Sequence, residues 1–186
     1  MHEVLISIQP KWCELIASGK KTVEIRKTRP KINTPFKCYI YQTKMKWFFN
    51  LLRKMGLSDL ANKLLIAKGK VIGEFVCDAI EHYTSNCTVF ESVLLPSPSE
   101  LEEMCLTLAE FNSYGTRGKL LYGWHISELK IYEQPKGLHH FFKPCGDCNK
   151  KGTRRCTEEL TDCRAKVMTR PPQSWCYVEL PKGGAE

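Results

Sequence analysis

Lys21, Glu24 and Arg26 stand close together in the run ASGKKTVEIRK, residues 17–27, with Lys20 immediately before them. Thr22, Glu24 and Arg26 alternate with Val23 and Ile25, the period of a half-buried strand, so the three polar side chains share one face. Opposite charges two residues apart on one face can satisfy each other and form a structural pair. Partly buried beside a lysine, the same residues can do chemistry: the lysine as a proton shuttle, the arginine as a planar clamp on a phosphate or a base edge.

The second cluster is made of thiols. CGDCNKKGTRRCTEELTDC places Cys145 and Cys148 as a C-x2-C pair, followed by Cys156 and Cys163. Four thiols at this spacing, with a glycine in the first knuckle, fit a tetrahedral structural zinc site. His139, His140 or Cys176 could replace one ligand, and the competing readings are a disulfide or redox-active pair, thiols that hold no metal, and an iron–sulfur cluster on the same four thiolates. So short and polar a segment cannot bury a core of its own, which makes a metal staple physically reasonable.

Elements that would position these groups can be read from the pattern. VLISIQ is a strand, and Pro10 suits the first turn of a helix, whose apolar stripe is Trp12, Leu15 and Ile16 and whose end falls at Ser18-Gly19. The strand KTVEIRK follows at once, so its polar face begins at the C-terminus of that helix. RPKINTP is turn-forming, and FKCYIYQT alternates as another strand. Residues of about 45–67 then read as a cationic, amphipathic helical insertion broken at Gly56. GKVIGEFVCDAIEHY is the strongest strand signal, with Gly73 suggesting a bulge or a close approach. SPSELEEMCLTLAEFNSYG reads as one capped helix running to Gly115, KLLYGWHISELKIYEQP returns to strands, and Trp175–Leu180 is the last strand. Trp124 and His125 should point to opposite faces, and Tyr39, Tyr41 and Trp124 are either base-stacking surfaces or core.

The chain has 186 residues and a formal charge of +8, unevenly placed. Residues 1–70 hold fifteen Lys/Arg against four Asp/Glu, whereas residues 71–142 hold four against ten. Concentrated positive charge attracts polyanions better than the same charge spread evenly, so nucleic acid is the first partner to expect. No run approaches the length of a membrane span, and the first residues lack the pattern of a signal peptide. Ten cysteines, half of them scattered through the first 105 residues, are expected as reduced thiols in a cytosolic protein.

The runs LISIQPKWCELIASGKKTVEIRK, GKVIGEFVCD and LYGWHISELKIYEQP together resemble the ASCH domain family, most diagnostically in SGKKTVEIR, over roughly residues 3–142. The Cys-containing tail ending in RPPQSWCYVEL resembles a prokaryotic and phage-associated branch of that family. The resemblance implies an α+β chain: a PUA-like mixed β-barrel over 1–142 with a few peripheral helices. To it are added a Cys-rich zinc segment at 143–170 and a final strand and tail at 171–186.

Family resemblance further implies RNA binding in a basic cleft between the first helix and the barrel, with Lys20, Lys21, Glu24, Arg26 and Tyr41 as contacts; duplex DNA is a possible alternative partner. Some relatives are amidohydrolases acting on N4-acetylcytidine, in which the position matching Lys21 is catalytic. Those enzymes place a threonine nucleophile where this chain has Glu24, with Thr22 two positions away. If the chain is an enzyme, Lys21 and Glu24 are the catalytic pair, activating water or stabilising an oxyanion. A ribonuclease using Lys21, Glu24 and Arg26 is the third reading.

Overall fold

The computed structural model describes residues 3–44, 54, 56, 69–85, 95–115, 119–144 and 166–179. The helical insertion read at about 45–67 and the cysteine cluster at 145–163 lie outside the described residues, apart from Lys54 and Gly56. The described strands in chain order are β1 (Glu3–Ile8), β2 (Val23–Arg26), β3 (Phe36–Gln42), β4 (Val71–Cys77), β5 (Ile80–Thr84), β6 (Leu120–His125), β7 (Ser127–Lys136), β8 (Phe142–Lys143), β9 (Lys166–Val167) and β10 (Trp175–Val178). The helices are α1 (Pro10–Ala17), α2 (Pro98–Met104) and α3 (Leu108–Tyr114), with a 3-10 turn at Leu138–His140.

The strands form a five-stranded sheet ordered β10-β1-β3-β4-β7, a three-stranded sheet ordered β2-β6-β5, and the β8-β9 ladder. The class is mixed α+β, and among the described residues the sheets do not close into a barrel. The chain divides into two compact units: Met1–Ile8, Tyr39–Gly73 and Tyr132–Glu186 make one, and Gln9–Cys38 with Glu74–Ile131 make the other.

In the first unit, β1 is buried along nearly its whole length, as Val4, Leu5, Ile6 and Ile8 require, and it pairs antiparallel with β10, Leu5 opposite Cys176. The core gathers Leu5, Tyr39, Tyr41, Val71, Phe141, Met168 and Val178. Tyr39 stands edge-on to Phe141 at 4.9 Å and donates its hydroxyl to Glu3 at 2.8 Å, so this buried phenol is satisfied. The β8-β9 ladder, with Lys143 opposite Lys166, brings together the chain on both sides of the cysteine cluster.

The second unit is built on the β2-β6-β5 sheet. Its inner face carries Val23, Ile25, Tyr83 and Leu121, which pack with Met104 of α2 and Phe111 of α3. Gly123 lets the three strands close: a Cβ there would lie 2.8 Å from the Tyr83 ring and 3.1 Å from Val23. One helix was expected over 97–115, yet two are present. Cys105 takes the left-handed conformation, φ 54°, at the end of α2, and Thr107 opens α3 with a reciprocal capping box to Glu110. The T-x-x-E signal inside the apolar run is what restarts the helix. Ser97 and Glu100 make the same box at the start of α2.

Candidate functional site

The site begins where α1 ends. Pro10 occupies the first turn, Pro10, Cys13 and Ile16 face inward, and Gly19 adopts φ 73°, a conformation that suits glycine at a helix C-terminus. The amides of Lys20 and Lys21 both donate to the Leu15 carbonyl at 3.0 Å. Thr22 donates to Glu103 at 3.0 Å, and its own carbonyl accepts from Ile126 at 2.8 Å, which sets the start of β2. The two residues after the helix are thereby held before the strand begins.

The Lys21 side chain turns inward and is only 2% exposed. Its ammonium donates to the Met104 carbonyl at 2.6 Å and to the Val23 carbonyl at 2.8 Å, and lies 3.4 Å from Glu24 Oε2. It also sits 5.1 Å from the centre of the Trp12 ring, which Lys11 approaches at 4.4 Å. Burial pushes the Lys21 pKa below the ordinary lysine value, while the Glu24 carboxylate opposes the shift.

Glu24 Oε1 lies 3.0 Å from Arg26 Nη2, so one carboxylate serves two cations. Glu24 and Arg26 are 6% and 8% exposed. Two basic side chains and one acidic side chain thus form one buried row. Burial, and then the nearby Glu24 carboxylate, push the Cys13 thiol far up, so Cys13 is a small buried hydrophobe and not a nucleophile.

Register explains why Glu24 and Arg26 share one face. Glu24 stands opposite Trp124 and Arg26 opposite Tyr122, while Ile80 and His82 of β5 face the same two residues of β6 from the other side. Trp124 is fully buried and meets Phe36 edge-on at 5.8 Å. Its neighbour His125 lies on the opposite face, Nε2 3.5 Å from Glu81 Oε1.

The sequence places Lys21, Glu24 and Arg26 together, and the structure does so too. Lys20 is exposed, with its carbonyl accepting from Cys105 Sγ at 3.4 Å. Tyr41 belongs to the other unit and is 4% exposed in its apolar core, where its ring is spent on packing. Tyr39 and Trp124 are core as well. Cys145, Cys148, Cys156 and Cys163 lie outside the described residues, and among those described no group of three or more His, Cys, Asp or Glu could hold a metal. Of the substitute ligands, His139 and His140 are exposed, with rings 4.2 Å apart, and burial raises the Cys176 thiol.

Two features were not anticipated from sequence. One is the Met104 carbonyl, which reaches Lys21 from a residue 83 positions away. The other is an open pocket of about 460 Å³ lined by the turn Lys27–Asn33 and by Tyr122. The alternating cations Lys27, Arg29 and Lys31, at the end of the strand KTVEIRK and in the turn RPKINTP, are its visible signal.

A mixed α+β chain whose first helix delivers a lysine into a Glu–Arg strand pair defines the class. The chain belongs to the ASCH domain family, whose family model matches residues 6–136. Its fold is similar to that of a serine-to-alanine mutant of ZmASCH from Zymomonas mobilis, at 19% identity and a TM-score of 0.54, over 95% of this chain and 88% of that one. A tyrosine-to-phenylalanine mutant of ZmASCH is similar at 19% identity and a TM-score of 0.50, over 95% of this chain and 90% of that one. No curated protein matches.

Proposed function

We propose that the chain is an RNA-binding module of the ASCH kind, working in the cytosol. The observation that carries this reading is the sharing of Glu24 between Lys21 and Arg26 in a row less than one-tenth exposed. Two cations over one buried anion favour a negatively charged ligand, and Glu24 holds the guanidinium plane in one orientation before that ligand arrives. The excess of fifteen cations over four anions in residues 1–70 would supply the long-range attraction. In this reading Lys21 positions Glu24, because two carbonyls and a carboxylate already occupy its ammonium. Arg26 takes phosphate or a base edge, and the exposed Lys20 adds a phosphate contact.

The test is Arg26→Ala measured by fluorescence anisotropy against a labelled stem-loop RNA, with single-stranded RNA and duplex DNA as competitors. Affinity should fall roughly tenfold with an unchanged far-UV spectrum. Wild-type affinity in the variant would make Arg26 a structural residue.

The depressed pKa of Lys21 beside a carboxylate favours a second reading, a hydrolase acting on a modified nucleoside or amide, with Lys21 and Glu24 as the acting pair. Release of acetate from N4-acetylcytidine, with little dependence on salt, would select it.

We also propose that Cys145, Cys148, Cys156 and Cys163 hold a structural zinc ion. The reading rests on their spacing and on the β8-β9 ladder that ties the flanking chain together.

A further inference from the structure

The turn that follows Arg26 leaves β2 carrying three cations at alternate positions, Lys27, Arg29 and Lys31, all exposed. With Pro30, Ile32 and Tyr122 they line the 460 Å³ pocket, and among its described lining residues there is no carboxylate. Its volume is in the range of sites that take small organic ligands. Tyr122 stands directly opposite Arg26 in the β2-β6 register, so both side chains leave the sheet on the same face. The Tyr122 ring is steadied edge-on by His82 at 5.2 Å.

We propose that this pocket receives one nucleotide of a single-stranded RNA, the base lying against Tyr122 and the adjoining phosphates on Arg29 and Lys31. The inference rests on the RNA-binding reading and extends it from the buried row to a second subsite on the same sheet. Aromatic and aliphatic surface rimmed by cations is what an unstacked base and its backbone require, whereas a paired base inside a duplex could not reach Tyr122. The row at Arg26 and the pocket at Tyr122 lie on one face of the β2-β6 pair, the row buried and the pocket open. Glu24 and Trp124 lie one step further along, roughly 6.7 Å away at the rise of two strand residues.

The experiment is anisotropy of a short labelled oligouridylate at a series of salt concentrations, together with amide chemical-shift mapping on the full chain titrated with uridine 5′-monophosphate. Arg29→Ala and Lys31→Ala alter exposed turn residues. Each should weaken the oligomer several-fold and flatten the plot of log K against log salt by about 0.7. Tyr122→Ala should lose roughly five- to a hundredfold, and Tyr122→Phe, which keeps the ring, should bind like the wild type. If Arg26→Ala weakens binding while the Arg29→Ala/Lys31→Ala double variant binds normally, the RNA reading stands and the pocket proposal is overturned. The double variant decides the matter even if Tyr122→Ala fails to fold. If the wild type binds no oligomer, the RNA reading fails and the mononucleotide titration rules on the pocket. Shifts confined to residues 27–33 and Tyr122 would sustain it as a nucleotide site, and their absence would overturn it.

Discussion

Glu24 is the residue on which the site balances. It lies 3.4 Å from one cation and 3.0 Å from another, with all three side chains nearly closed to solvent. A buried ion pair adds little net stability over an apolar substitute, but removing one partner leaves an uncompensated charge in low dielectric. Glu24→Gln keeps the shape and discards the charge, leaving Lys21 and Arg26 to repel each other. We expect it to cost about 3 kcal/mol, seen as a lower urea midpoint at unchanged slope. Stability within a few tenths of the wild type would mean that water or a neighbouring group compensates the two cations.

At the scale of elements, the short helices α2 and α3 carry more than their length suggests, because α2 ends on the carbonyl that Lys21 reaches. Ser97 and Glu100 cap α2 reciprocally, with the Ser97 amide donating to Glu100 at 2.6 Å. The Tyr83 hydroxyl meets the carboxylates of Glu100 and Glu81 and ties the helix to β5. Hydrogen bonds from Ser97 hold the Glu100 carboxyl below the usual glutamate range. A carboxyl with a lowered folded-state pKa contributes stability above its unfolded value that disappears as pH falls through the folded one. Ser97→Ala should therefore cost about 1 kcal/mol at neutral pH and less in acid, where the wild type has already lost Glu100. Urea titrations at several pH values would show the two proteins converging below the ordinary glutamate pKa, and a gap independent of pH would remove Glu100 from the account.

For the whole molecule, the question is what holds the chain around its cysteine cluster. The β8-β9 ladder is only two residues long on each strand, and a ladder that short has little stability of its own. On the zinc reading, chelation should raise hydrogen exchange across residues 143–170 while the protection of β2, β5 and β6 stays as it was, and the metal content should be one zinc per chain. Exchange unchanged by chelation would refute a structural metal. Among the described residues no helix is long and apolar enough to cross a membrane.

Local rules carried much of this molecule. The start of α1 at Pro10, its end at Gly19, the strand period through Glu24 and Arg26, and the opposed faces of Trp124 and His125 all follow from steric and periodic constraints within a few residues. Long-range contacts decided the rest. Whether Glu24 and Arg26 were a solvated surface or a buried row depended on what covers them, and no alternation pattern records that. Tyr41 has the composition of a stacking residue and the environment of a core residue, because the apolar cluster of Leu5, Phe141 and Val178 closes over it. The helix break at Cys105 was written in the T-x-x-E box after it, yet its consequence, a carbonyl delivered to Lys21 across 83 positions, exists only once α2 lies against β2. The basic pocket likewise needed Tyr122 to be brought opposite Arg26 by strand pairing, since a turn rich in lysine and arginine becomes a site only when a second element supplies its wall.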